Sequence, residues 1–204
     1  YMPFSVVLPR RRRFLLYQNQ QEHRAVLRYR QFLWSASRKY AKLDLYDHSN
    51  IDQIVSFLDE KGVTELDVLV GGPPCQGFSY AGKMDVNDKR NFLYLAMVKL
   101  TAKLKPKAVL IENVLAMIEA NGGIGAKRVI KDFEDIGYKM STKVLFAPDY
   151  GIPQIRRRVF FVGLRDTETE FEFPTPVLKP SEYITCEEAI SDLPSLQTPD
   201  GNII

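Results

Sequence analysis

The sequence predicts an α/β domain with a mostly parallel sheet, and three observations carry that expectation. Apolar runs of strand length alternate with helical stripes from residue 43 onward. Glycine or proline stands at the junctions, and residue types suited to chemistry fall at the ends of the apolar runs. The 204 residues, 45% hydrophobic and 26% charged, suffice for one domain with a sizeable core. The longest apolar blocks are AVLI at 108–111 and VFFV at 159–162. Both fall far short of the ~18 residues of a membrane span, so no membrane association is expected.

The elements follow in order. Ile51, Ile54, Val55 and Leu58 recur at helical spacing behind an Asn50 cap, with Gly62 as the stop. Residues 68–70 make a strand. Residues 91–104 form a helix with Leu93, Met97, Leu100 and Leu104 along one face, ended by Pro106 ahead of a strand at 108–111. A further helix runs from near Gly125 to Ile136, with Gly137 as its stop, and strands follow at 138–147 and 158–163. Beyond Phe173 the prolines at 174, 176, 180, 194 and 199 leave room only for a short helix, marked by a Thr185/Glu188 capping box.

Charge is distributed unevenly. Residues 1–42 hold ten Lys or Arg against Glu22 alone, a balance of +9, whereas the remainder carries −6. A basic arm facing nucleic acid and a solvated leader both fit this segment. Val26, Tyr29, Leu33, Ala36 and Tyr40 trace a helical stripe in it. No glycine precedes Gly62, so no glycine-rich turn follows a first strand to hold a nucleotide or nucleoside cofactor. Cys75 and Cys186 are far apart and without CxxC or histidine pairing, which argues against a disulfide framework or a metal site and fits a reducing, intracellular compartment.

Three short segments carry chemistry. Gly71-Gly72-Pro73-Pro74-Cys75-Gln76-Gly77-Phe78-Ser79 follows the strand at 67–70, where glycines permit close approach to a ligand and prolines stiffen the loop. A cysteine at that sheet edge suits a thiolate nucleophile, and a packing cysteine needs no such loop. Glu112, expected to end its strand beside Asn113 and Val114, suits proton exchange with a ring nitrogen or, alternatively, the N-terminus of a following helix. In Gln154-Ile155-Arg156-Arg157-Arg158, alternation puts Arg156 and Arg158 on one face, fit for a carbonyl oxygen and a phosphate; a solvated charge run is the alternative. The two histidines, His23 and His48, lie outside these segments, which disfavours a cysteine hydrolase.

Together GGPPCQGFS, ENV and QIRRR, in this order, resemble the nucleophile, glutamate and arginine motifs of the DNA (cytosine-5) methyltransferases. Asp88-Lys89-Arg90-Asn91-Phe92-Leu93 and APDYGIPQ at 147–154 extend the resemblance over residues 65–163. It implies a Rossmann-like methyltransferase fold and methylation of cytosine C5 in duplex DNA, with S-adenosylmethionine as donor and the target base flipped out. It assigns catalysis to Cys75, Glu112, Arg156 and Arg158, cofactor contacts to Pro74, Leu93 and Asp44, and DNA contacts to Gln76 and Ser79. It also implies a bacterial, cytoplasmic enzyme of restriction-modification type acting at the nucleoid.

The sequence departs from the family pattern at both ends. The Phe-x-Gly-x-Gly-Gly turn has no counterpart in residues 1–42, nor does the ribose-binding acid. The expected organisation is a basic, unassigned segment at 1–42, a catalytic core at 43–173 and a Pro-rich linker at 174–204 leading towards an absent target-recognition domain. A core fragment incomplete at both ends is therefore expected. Alternatives are an inactive remnant, one subunit of a split enzyme completed by a complementing chain, and a tRNA cytosine-5 methyltransferase.

Overall fold

The computed structural model describes the strand backbone at 13–20, 24–31 and 39–43, the backbone of residue 93, and complete residues at 49–60, 63, 65–73 and 94–193. Among these, seven strands pair in one sheet: β1 (Arg13–Gln20), β2 (Arg24–Gln31), β3 (Lys39–Leu43), β4 (Val68–Gly72), β5 (Ala108–Val114), β6 (Tyr138–Phe146) and β7 (Arg157–Arg165). Their order is β3-β2-β1-β4-β5-β7-β6. The helices are α1 (Ser49–Glu60), α2 (Leu93–Leu104), α3 (Ala116–Glu119), α4 (Ile124–Glu134) and α5 (Cys186–Ile190). The α/β class is as expected, but the sheet is mixed rather than mostly parallel. Only β1–β4 and β4–β5 run parallel, whereas β1–β2, β2–β3, β5–β7 and β6–β7 are antiparallel. The connections explain the difference. A crossover through α2 returns the chain parallel from β4 to β5, while β1 with β2 and β6 with β7 are consecutive strands separated by few residues and pair antiparallel.

Two expectations in the N-terminal part change. Val26, Tyr29 and Tyr40 fall in β2 and β3, not on a helix, while Leu33 and Ala36 lie outside the described residues. The run Arg24–Gln31 is rich in aliphatic and aromatic residues, and Arg28-Tyr29-Arg30 alternates with the period of a strand. Further on, α1 begins at Ser49, so Asn50 lies in its first turn, where its Oδ1 accepts from Gln53 Nε2 at 2.8 Å. Gly62 lies outside the described residues.

Strand parity builds the core. Leu69 of β4, Val109 and Ile111 of β5, and Val159 and Phe161 of β7 are at most 1% exposed. They pack with Ile51, Ile54 and Leu58 of α1, Met97 and Leu100 of α2, and Val129 and Phe133 of α4. Each such side chain contributes about 1.5–3 kcal/mol by leaving water, so this face holds the sheet and helices together. On the other face Val68, Val70, Gly72, Leu110, Glu112 and Arg158 are only half-buried. Alternation thus separates a packing face from a face free for chemistry.

Three local features secure these layers. α4 ends at Glu134, two residues short of the expected Ile136, and Gly137, whose φ of 90° disfavours a side chain, closes the turn that follows with its N–H on the Glu134 carbonyl at 2.9 Å. Gly163 of β7 lies opposite Val109 on β5 and Met140 on β6. A Cβ there would meet Met140 Sδ at 2.6 Å and Val109 Cγ2 at 2.7 Å. Across the helical layer, the Tyr94 hydroxyl of α2 donates to Asp132 Oδ2 of α4 at 2.6 Å. Burial first, then this bond and the carboxylate's charge, push the Tyr94 hydroxyl above its ordinary pKa of 10.0. Burial raises Tyr138 in the same way.

Gly163→Ala is expected to lower stability by about 1–3 kcal/mol through overpacking, read as a lower urea midpoint. An unchanged midpoint would show that Met140 and Val109 yield without cost. These two tyrosines contribute to the loss of stability at alkaline pH. The unfolded chain loses their protons near pH 10, whereas the folded chain keeps them, so stability is full below that pH and falls above it. Tyr94→Phe is expected to flatten that fall, measured by denaturant titration between about pH 8 and about pH 11.

Candidate active site

The sheet edge where β4 and β5 end is also where β7 begins, because β7 runs against β5. Gly71 pairs with Ile111 in the parallel ladder, so Gly72 lies level with Glu112. In the antiparallel ladder Glu112 pairs with Phe160 and Val114 with Arg158. Parity then puts Gly72, Glu112 and Arg158 on the same half-buried face, within side-chain reach of one another. Glu112 was expected to end its strand. Instead β5 continues to Val114, and α3 starts only at Ala116. The carboxylate is held by a sheet on both sides, which removes the alternative of a helix N-terminal acid.

Arg158 Nε donates to Glu112 Oε1 at 2.8 Å. The same guanidinium donates through Nη1 to the Arg157 carbonyl at 2.8 Å, so both its position and its plane are set. With the arginine and glutamate side chains 26% and 38% exposed, the pair contributes about 1 kcal/mol or less to stability. Its value lies in geometry. Glu112 Oε2 faces Gly72, where a Cβ would stand 3.5 Å away. A side chain at 72 would thus begin in ordinary van der Waals contact with the carboxylate.

Asn113 ties the two strand ends together. It points to the opposite face and is 4% exposed, with Nδ2 donating to the Pro73 carbonyl at 3.0 Å. Its Oδ1 accepts from the Val114 backbone N–H at 2.8 Å. This bond fixes Pro73, two residues before Cys75, against the end of β5. Sequence analysis noted Asn113 only as a neighbour of Glu112; a buried amide on the apolar face of a strand was the signal for its role.

The arginine segment is aimed by a hairpin. After β6 a 3-10 turn at Ala147–Tyr150 closes on Gly151, whose φ of 75° lies in the left-handed region. Ala147 N–H then bonds the Arg156 carbonyl at 2.9 Å. Gln154, Ile155 and Arg156 are exposed, Ile155 at 92%. Arg157 turns away from Glu112 and stacks its guanidinium 5.2 Å from the Phe146 ring centre. The structure therefore brings Glu112 and Arg158 together and leaves Arg156 at the rim. Cys75, Pro74, Gln76, Ser79 and Asp44 lie outside the described residues, and Leu93 is described by backbone alone, as the first residue of α2.

A nucleoside-type cofactor would be expected in the crevice beyond the carboxyl ends of β1 and β4. Those two strands pair in parallel, with Gln18 opposite Gly72. The chain leaves β1 through residues 21–23 into antiparallel β2, however, and not through a glycine turn into a helix. The parallel β1–β4 pair is thus the part of such a site that the described residues include. Among them no cluster of His, Cys, Asp or Glu could hold a metal ion, and no helix is long and apolar enough to cross a membrane.

Comparison with known proteins identifies relatives of the chain. The family model described as C-5 cytosine-specific DNA methylase matches residues 19–203. The Type II methyltransferase M.DdeI of Desulfomicrobium norvegicum is 36% identical over 194 residues, covering 88% of this chain and 45% of that protein. The Type II methyltransferase M1.HphI of Haemophilus parahaemolyticus is 36% identical over 167 residues, covering 78% of this chain and 44% of that protein. This chain therefore spans less than half the length of these two relatives. A crystal structure described as a DNA modification methyltransferase encoded within a prophage (E. coli) matches with a TM-score of 0.57 and 28% identity, covering 74% of this chain and 42% of the other.

Removal of the buried Asn113 amide leaves the Pro73 carbonyl without its donor, whereas removal of the Glu112 charge breaks a half-exposed pair. Asn113→Ala is therefore expected to cost about 1–3 kcal/mol, more than Glu112→Gln at about 1 kcal/mol or less. Equilibrium urea unfolding gives both values, and the reverse order would contradict the assigned tie.

Proposed function

The chain belongs to the C-5 cytosine-specific DNA methylase family, and on that premise we propose that it carries the catalytic core of a restriction-modification enzyme that methylates C5 of a cytosine flipped out of duplex DNA. The observation that carries this reading is the Arg158–Glu112 pair, set at 2.8 Å on the sheet edge level with Gly72. Asn113 holds Pro73, the residue that leads into the Pro74-Cys75 dipeptide, against the same edge. The site is proposed to act in the bacterial cytoplasm, at the nucleoid.

Each residue has a chemical task in that reaction. The Cys75 thiolate attacks C6 of the base, forming the S–C6 bond and pushing electron density into the ring. Glu112, once protonated from solvent with the base bound, passes that proton to N3 and returns to the carboxylate that pairs with Arg158; the proton lets the ring accept those electrons, and Oε2, the oxygen on the Gly72 side, is the one presented to the base. Arg158 donates to O2 as negative charge develops there, from a guanidinium already fixed by Glu112 and the Arg157 carbonyl. Fixing it beforehand spares reorganisation during the reaction. Arg156, exposed at the rim, is assigned to the DNA phosphate or the thiolate, and Gln76 and Ser79 to the DNA backbone.

S-adenosylmethionine, when bound, supplies an electrophilic methyl group for C5. Pro74, Leu93 and Asp44 are assigned to hold it, with Leu93 opening α2. Loss of the C5 proton to a water molecule, with the N3 proton passing back to solvent through Glu112, then re-forms the ring double bond and expels the Cys75 sulfur as thiolate. Choice of target sequence is assigned to the part of the relatives that this chain does not span, carried on the same polypeptide or on a complementing chain. Residues 174–204 are assigned as the linker towards it, residues 43–173 as the catalytic core, and the basic 1–42 segment is given no role.

Fluorine at C5 cannot leave as a proton does, so it traps the covalent intermediate. The intact polypeptide containing this chain, given S-adenosylmethionine and mixed-sequence duplex DNA substituted with 5-fluorocytosine, is expected to form an adduct that survives denaturing electrophoresis. Cys75→Ser is expected to abolish it. An adduct that persists in Cys75→Ser would overturn the assigned nucleophile, and methyl transfer to tRNA but not to DNA would overturn the substrate.

A further inference from the structure

Residues 174–186 are packed as a strap across the turn that aims the arginine segment. Tyr150 donates its hydroxyl to the Pro174 carbonyl at 2.9 Å. The Asp149 carbonyl accepts from both Val177 N–H at 2.9 Å and Leu178 N–H at 3.1 Å. The Asp149 side chain accepts from the Tyr183 hydroxyl. Cys186 Sγ, at the start of α5, donates to the Pro153 carbonyl at 2.9 Å. The strap is thus pinned at several points along 149–153.

A path of contacts leads from this strap to the site. The Tyr183 ring meets the Phe146 ring edge-on, with centres 5.9 Å apart and planes at 71°. The Phe146 ring carries the Arg157 guanidinium at 5.2 Å. The Arg157 carbonyl accepts from Arg158 Nη1 at 2.8 Å, and Arg158 Nε holds Glu112 at 2.8 Å. Phe146 and Arg157 are also paired across β6 and β7, so this path crosses a ladder and not a loose loop.

We propose that Tyr183 is a positioning residue: by latching the strap to Asp149 and Phe146 it holds Arg157, and through the Arg157 carbonyl it sets the Arg158 guanidinium against Glu112. The physical basis is that a guanidinium half exposed to water keeps one orientation only if its hydrogen-bond acceptors are themselves fixed. Glu112 is fixed by the sheet. The Arg157 carbonyl stands at the first residue of β7 and is steadied by the stack on Phe146. The importance of this latch for catalysis rests on the proposed function, but the latch itself does not.

The test is an amide-type proton readout that needs neither DNA nor methyl donor. In ¹⁵N–¹H spectra of the full chain the Arg158 Nε–Hε resonance is identified by its loss in Arg158→Lys. In the unsubstituted chain it is expected to be shifted downfield and slow to exchange. Tyr183→Ala is expected to move it towards the free-arginine position and to speed its exchange roughly fivefold, the factor that one lost hydrogen bond gives. Tyr183→Phe, which keeps the ring against Phe146, is expected to fall between the two. Asp149→Asn keeps an acceptor for the tyrosine and is expected to match the unsubstituted chain. Far-UV circular dichroism checks folding, and if Tyr183→Ala does not fold, Tyr183→Phe and Asp149→Ala carry the comparison. An Arg158 resonance unchanged in folded Tyr183→Ala and Asp149→Ala would overturn the proposal. Failure of the 5-fluorocytosine adduct with this result intact would instead count against the function alone.

Discussion

Strand β7 runs antiparallel between β5 and β6, and this reversal brings its first residues to the edge where β4 and β5 end. In a wholly parallel arrangement Arg158 would start its strand at the opposite end of the sheet from Glu112. Across a strand of seven residues at about 3.3 Å each, that separation far exceeds the length of an arginine side chain. The reversed strand makes a short ion pair possible, and the tight packing at Gly163 helps to hold that strand in register between its two neighbours. Core and site therefore depend on one pairing.

The two faces of β5 divide the labour. Val109, Ile111 and Asn113 face the helices, and two of the three are apolar packing residues. Asn113 takes the last place in that row and spends its amide on the loop ahead of Cys75. Ala108, Leu110 and Glu112 face the other way, towards Arg158 and the open edge. A stable anchor and a chemically available carboxylate thus sit on adjacent residues with no competition for space.

Much of this was legible in the sequence, and the gaps have physical causes. Gly137, the Thr185–Glu188 capping box, and the cores of α1, α2, β4 and β7 follow from local chemistry, which the chain expresses residue by residue. Strand direction does not, because a short apolar run looks the same whether its neighbour runs with it or against it. The same ambiguity hid the extension of β5 through Glu112, since a polar residue after AVLI resembles an end and is in fact the exposed half of an alternation. Between 26 and 40 the threes and fours of Val26, Tyr29, Leu33, Ala36 and Tyr40 trace a helix, whereas tertiary pairing makes Arg24–Gln31 a strand. Of the candidate site, the identities of Glu112 and Arg158 were legible, but the pair between them was not, because it arises from registers across separate ladders. Cys75 remains a sequence assignment, lying outside the described residues.

The parity that gathers Gly72, Glu112 and Arg158 also dictates which kinds of genetic change the site can survive. A substitution leaves every other residue on its own face. A single-residue insertion or deletion within β5 upstream of Glu112 does not, for it would turn the carboxylate towards Phe161 and Val159 and bring an apolar neighbour to the open edge unless a bulge absorbed it. Length, more than composition, is what these three strands must conserve, and drift in this region is constrained to proceed by exchange of side chains at constant spacing.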